Sequence, residues 1–180
     1  MRIISGKYGG RRINPPAKMP HTRPTTDIAK EGLFNILQNR IDFEGIATLD
    51  LFGGTGSISY ELASRGAENL TIVEKDPQMH AFIQQNMKVL CVQNVKILKI
   101  DIFQYLDSCT QQFDFIFAGP PYALNTIDEI PKIIVAKKLI APEGYFVLEH
   151  TPRNNYENYE GFVMQRNYGT TVFSFFSSET

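Results

Sequence analysis

Cysteine and histidine are both scarce in this chain of 180 residues, with two of the first and three of the second. Cys91 and Cys109 show no metal-ligand spacing and no disulfide framework, so they read as reduced thiols and a cytoplasmic location is expected. No run approaches 18 apolar residues, which argues against a membrane span. The opening MRIISGKYGG lacks the apolar stretch of a secretory signal. Internal repeats and low-complexity segments are absent as well. What remains is ordinary for a globular protein, with 43% hydrophobic and 21% charged residues. The length suits one domain over 1–180, with 1–24 as an N-terminal arm and 25–180 as the core.

A net charge of -1 hides an asymmetry. Arg2, Lys7, Arg11, Arg12, Lys18, Arg23 and Lys30 face only Asp27 in the first 30 residues, a balance of +6, against -7 for the rest. Segregated Lys and Arg neutralise phosphates and release counterions, so this end is expected to meet a polyanion. Branched apolar residues flank the glycines of RIISGKYGGRRI, a hairpin pattern, so the arm is expected to be folded.

Beyond it, Thr25, Thr26 or Asp27 offers an N-cap, and Ala29, Leu33, Ile36, Leu37 and Ile41 recur at helical spacing. Apolar strand candidates then alternate with helical stretches: ATLDLF, NLTIVEKD, VKILKID, FDFIFAG and GYFVLEH, each but the last followed by a helix. Such strands belong in a parallel sheet covered on both faces. GFVMQRNYG and TTVFSFF flank a tight turn with no helix between them, which predicts an antiparallel hairpin at the sheet edge. The expected fold is a doubly wound, Rossmann-like α/β domain with an N-terminal hairpin.

The first strand ends in LDLFGGTGSIS, where Gly54, Gly56 and Ser59 nearly match the dinucleotide pattern G-x-G-x-x-G/A. A glycine turn between strand and helix lets backbone approach a ligand and aims helix N–H groups at it. Glu74, at the end of the second strand, is placed to accept both ribose hydroxyls. Asp101, at the end of the third, is placed for an adenine amino group with Ile102 beside it, and Asp50 for a ligand ammonium. NAD and S-adenosylmethionine both use such a site. Hydride transfer lacks an evident partner residue: His80 falls within a helix, although His150 stays open.

The fourth strand separates the two readings. DLFGGTG, Glu74, Asp101 and the turn GPPY together resemble a class I S-adenosylmethionine-dependent methyltransferase of the amino-methylating type, whose fourth strand ends in D/N-P-P-Y/F. RIISGKYGGRRI and RPTTDIAKEGLFNIL narrow the resemblance to the RsmD family, bacterial methyltransferases of the guanine N2 amino group in 16S ribosomal RNA. It extends over nearly the whole chain. The resemblance implies that Asp50, Gly53, Gly54, Gly56, Glu74 and Asp101 hold the cofactor, with Phe52 and Lys75 beside them and Ile102 against the adenine. Thr25 and Thr26 would border its methionine end. Arg2, Lys7, Arg11, Arg12 and Arg23 would position RNA through phosphates, and Tyr122 would stack on an extruded guanine. The implied partner is 16S ribosomal RNA or the small ribosomal subunit, with no metal and a monomeric enzyme.

The same turn departs from the family. An exocyclic amine is a weak nucleophile because its lone pair is delocalised into the ring. A carboxylate and the carbonyl of Pro120, held by Pro120 and Pro121, would localise that pair toward the methyl group. The motif's acid is replaced by Gly119. Asp114 lies roughly 16 Å back along the strand, and Asp128 is expected inside the next helix, so no replacement is legible. Losing one such contact costs about 10²–10³ in rate, which predicts a weakened enzyme that Gly119→Asp improves at least tenfold. A catalytically silent RNA- or cofactor-binding homologue and a DNA adenine-N6 methyltransferase are the alternatives.

Overall fold

A computed structural model describes residues 1–18 and 24–178. Seven strands form one sheet: β1 (Ala47–Leu51), β2 (Asn69–Val73), β3 (Val95–Leu98), β4 (Phe113–Ala118), β5 (Ile140–His150), β6 (Phe162–Tyr168) and β7 (Thr171–Ser177). Their spatial order is β3-β2-β1-β4-β5-β7-β6. The first five are parallel, whereas β7 pairs antiparallel with both β5 and β6. This is the doubly wound arrangement that the alternating pattern predicts. The chain reverses direction across the sheet between β1 and β4, the place where such folds open a ligand crevice.

Local chemistry sets the helices. α1 (Asp27–Leu37) begins where Thr26 accepts a hydrogen bond from the Ala29 amide, and buries Ala29, Leu33, Phe34 and Leu37. α2 (Ser57–Ser64) leaves the glycine turn directly. α3 (Pro77–Val89) is capped by Asp76 and has a proline in its first turn, where no amide partner is lost. α4 (Ile102–Ser108) and α5 (Glu129–Ala136) complete the layers. Alternation along the strands sends Leu49, Leu51, Ile116 and Phe146 toward α4 and α5. Phe115, Phe117, Val147 and Phe173 point the other way, toward α1 and α2.

The strands differ from expectation at their ends. β3 stops at Leu98, so Asp101 is the N-cap of α4, accepting from the Phe103 amide at 2.9 Å. Asp128 precedes α5 and accepts from the Tyr156 hydroxyl at 2.9 Å. β5 begins earlier than GYFVLEH, and its pairing with β4 slips between Phe113 and Phe115, near Glu143 at φ 65°.

The N-terminal arm is folded. Backbone bonds run from Ile3 to Arg11, Gly10 to Ile3 and Ile13 to Met1, closing a short hairpin with a bridge between Arg2 and Arg12. Ile3, Tyr8 and Ile13 pack on Tyr60, Ile72, Ile83 and Met87. Each such buried side chain contributes roughly 1.5–3 kcal/mol. Among the described residues, no helix is long and apolar enough to cross a membrane.

Candidate active site

The C-terminal ends of the central strands open into one cleft, lined by Thr25, Asp50, Phe52, Gly53, Ser57 and Gly119. Phe52 adopts a left-handed backbone at φ 64°, a conformation that costs a non-glycine residue about 1–3 kcal/mol and gathers at ligand sites. Gly56, at φ 85°, caps α2, and a Cβ there would lie 2.6 Å from the Tyr60 ring. Only glycine lets the chain turn and start the helix in that space.

Carboxylates ring this loop. Glu74 follows β2; its two oxygens accept from the Gly54 and Asp76 amides, each at 2.8 Å. Asp50 is 2% exposed and accepts from the Ser59 hydroxyl at 2.6 Å. Burial pushes its carboxyl well above the usual range, the Ser59 hydroxyl opposes that, and Glu74 adds to it. A cation beside Asp50 would restore the ionised form. Ser57 Oγ is buried in the same wall without a hydrogen-bond partner among the described residues. A buried acid, an orphaned hydroxyl and helix amides suit a ligand with an ammonium and polar hydroxyls, so the site fits S-adenosylmethionine.

Other expected cofactor residues sit further out. Asp101 and Lys75 approach to 4.0 Å at an exposed rim, where such a pair is worth little. Ile102, expected to lie against the adenine, is 4% exposed and packs in the core. Thr25 and Thr26 part ways: Thr25 borders the cleft, while Thr26 spends its hydroxyl on capping α1.

The GPPY turn leaves β4 beside these groups. Ala118 pairs with Leu148 across the parallel strands, so the next residues, Gly119 and Glu149, stand side by side with the same facing. Glu149 is 4% exposed. One oxygen accepts from the Thr25 hydroxyl at 2.5 Å and the other from the Tyr122 hydroxyl at 3.4 Å. A Cβ at residue 119 would stand 4.0 Å from Glu149 Oε1. The sequence reading that no acid lies near the motif position is therefore corrected: neighbours along the chain are remote, but the adjacent strand brings one. Asp114, five residues back along β4, accepts from the Ala47 amide at 2.9 Å and belongs to the sheet. Tyr122 is half-buried with its hydroxyl engaged, rather than fully exposed.

His150 is buried, with Nδ1 2.8 Å from the Thr151 carbonyl and Nε2 2.7 Å from Ser174 Oγ. A carbonyl only accepts, so Nδ1 carries the proton and Nε2 accepts from the serine. Burial holds this imidazole below its ordinary pKa, against the opposing Thr151 bond. Both nitrogens are committed to the core, which removes His150 as a hydride-transfer partner.

Arg2, Lys7, Arg11 and Arg12 are exposed on the hairpin, and Arg23 lies outside the described residues. The hairpin runs along α2: Met1 touches Thr55 beside the cleft, whereas the Lys7 amide donates to the Ser64 carbonyl at the far end. Lys7 thus stands about 12 Å further from the cleft along the helix. A buried node fastens the two elements. Glu61 accepts from the amides of Ile4 at 2.8 Å and Ser5 at 3.1 Å, from Arg65 at 2.9 Å, and pairs with Lys30 at 3.2 Å. Burial alone would raise its carboxyl, but these donors hold it below the usual range. Neither Glu61 nor Glu149 has a sequence signal that marks it out; both emerge only from tertiary pairing.

The family model described as Conserved hypothetical protein 95 matches residues 1–177. Over 154 residues the chain is 32% identical to YlbH of Bacillus subtilis, covering 83% of this chain and 82% of that protein. It is 28% identical over 154 residues to Ribosomal RNA small subunit methyltransferase D of Escherichia coli, covering 86% and 76% of the two. Protein TTHA0928 of Thermus thermophilus superposes with a TM-score of 0.85 at 25% identity, covering 98% of this chain and 99% of that one.

Proposed function

The chain belongs to the RsmD family, the group described as conserved hypothetical protein 95, and from that premise we propose that it methylates the exocyclic N2 amino group of a guanine in 16S ribosomal RNA. It is an S-adenosylmethionine-dependent methyltransferase. The observation that carries the finer reading is the position of GPPY: Gly119 lines the same cleft as Asp50, Gly53 and Thr25.

In the proposed division of labour, Glu74 receives ribose hydroxyls and Asp50 the ammonium end of the cofactor, with Asp101 and Lys75 at the adenine rim. Held by these residues, S-adenosylmethionine would supply an activated methyl group to the amine nitrogen, which would then lose its surplus proton to water. The chain's residues prepare the amine. Tyr122 offers a ring face to a guanine taken out of its stack, and the Pro120 carbonyl accepts from an N2 hydrogen. The two prolines keep this turn rigid, so little reorganisation is needed at reaction. Arg2, Arg11 and Arg12 hold phosphates of the small ribosomal subunit without reading bases. The enzyme acts as a monomer and uses no metal ion.

The test incubates the protein with radiolabelled S-adenosylmethionine and small ribosomal subunits that lack the modification, followed by nuclease digestion and chromatography. Labelled N2-methylguanosine is expected. RNA that stays unlabelled overturns the reading in favour of a silent binding protein, and label on adenine in a parallel DNA reaction points to the other alternative.

A further inference from the structure

We propose that Glu149 is the carboxylate that accepts from the target amine, reaching from β5 the place that the family's motif acid occupies on β4. The assignment rests on the functional reading above and deepens it. The two positions are neighbours by register, one step beyond the Ala118–Leu148 pair, and residues side by side in a parallel sheet direct their side chains to one face. Glutamate is one methylene longer than aspartate. With glycine at residue 119 there is no side chain to hold Glu149 away, and its Oε1 lies 4.0 Å from the vacant Cβ position, bordering the space an aspartate carboxylate there would fill.

The carboxylate is also aimed. Thr25 holds one oxygen and Tyr122 the other, and both are residues of the cleft and the turn rather than of the core. Burying a carboxylate at 4% exposure is costly unless hydrogen bonds compensate, so the position is held deliberately by its surroundings. An ionised carboxylate has about four lone-pair sites, so accepting the threonine and tyrosine hydroxyls does not by itself bar an incoming N–H. The other acids near the turn are directed elsewhere: Asp114 accepts from the Ala47 amide within the sheet, and Asp128 accepts from Tyr156 ahead of α5. Tyr122 then has two duties, stacking its ring on the base and orienting the acceptor through its hydroxyl. On this assignment Gly119 does not cripple the site, and the tenfold gain expected from Gly119→Asp shrinks to less than threefold.

Four proteins test it in the methyl-transfer assay: the natural chain, Glu149→Gln, Gly119→Asp and the double variant. The backbone at residue 119 has no left-handed strain, and a Cβ needs only a small shift of the Phe117 ring at 3.1 Å, so the aspartate can be accommodated. Glu149→Gln is expected to lower kcat about 10²–10³-fold, with cofactor affinity by calorimetry within threefold. The double variant is expected to recover at least tenfold of that loss, because an acid returns from the other strand. If Glu149 is purely structural, Gly119→Asp brings the same gain with Glu149 as without it, and that additivity overturns the proposal, as does a Glu149→Gln enzyme of undiminished kcat. An inactive natural chain would instead sink the functional reading itself, which keeps the two failures distinct.

Discussion

Glu61→Gln is expected to loosen the whole N-terminal hairpin. In the native protein the Glu61 carboxylate collects two backbone amides, the Arg65 guanidinium and the Lys30 ammonium, with the side chains of Glu61 and Lys30 both fully buried. Glutamine keeps the shape but not the charge, and its amide offers one acceptor where the carboxylate offers two. Lys30 is then left in the interior with a single acceptor, the Arg2 carbonyl at 3.0 Å. Leaving one member of a buried pair uncompensated costs about 3–5 kcal/mol, a large share of the 5–15 kcal/mol typical of a whole domain. For a protein of this size each kcal/mol shifts Tm by about 2–4 °C, so a fall of roughly 6–20 °C follows. Burial already lowers the Lys30 pKa, with Glu61 as its main opponent, so the ammonium has most to lose. Lys30→Met should be much milder, because Glu61 keeps three donors and the methionine fills the space. Thermal and urea unfolding by circular dichroism measures both. A Glu61→Gln cost below about 1 kcal/mol, or equal costs for the two variants, would refute the argument that charge compensation fastens the hairpin.

Further outcomes follow from other sites. Glu74→Gln should weaken S-adenosylmethionine binding about tenfold or more by calorimetry, since charge-assisted hydrogen bonds are worth about 1.5–3 kcal/mol; affinity within twofold would detach Glu74 from the cofactor. Arg11→Ala with Arg12→Ala should weaken RNA binding and reduce the slope of log K against log salt by about 1–2, leaving cofactor affinity intact; an unaltered slope would remove these residues from the RNA face. Stability should fall as pH drops below about 6.5, the ordinary histidine value. Because the folded pKa of His150 is lowered, the unfolded chain takes up a proton that the fold refuses, so the contribution is complete above 6.5 and is lost below it. Urea midpoints from pH 7.5 to 5.5 should slope less in His150→Gln; equal slopes would place the dependence elsewhere.

Much of this architecture was legible because its signals are local. Helical spacing from Ala29 to Leu37 and apolar runs separated by helices together specify a parallel sheet, and the glycine turn with Glu74 specifies its ligand edge. Cap chemistry is readable in kind but not in place, which is why Thr25 and Thr26 could not be told apart, and why Asp101 reads as a strand end instead of the first residue before α4. Ile102 beside Asp101 looks like a platform in one dimension and is core in three. Glu149 and Gly119 are 30 positions apart in the sequence, and their adjacency depends on a register that contains an irregularity near Glu143. No pattern in either strand announces it. Glu61 is similar: on α2 it reads as a solvated helix acid until the hairpin covers it.

The placement of β7 between β5 and β6 has a consequence for synthesis. A ribosome delivers β6 before β7, yet β6 has no place in the sheet until β7 has docked on β5. During that interval the edge of β5 stands open from Tyr145 to His150, its apolar stretch from Tyr145 to Leu148 able to pair with a foreign strand. Closure aligns Glu149 with Phe173 and His150 with Val172, and gives His150 its serine. The rim that carries Glu149 is thus among the last parts to be assembled, so a nascent chain positions the proposed acceptor and covers the edge of β5 in the same event.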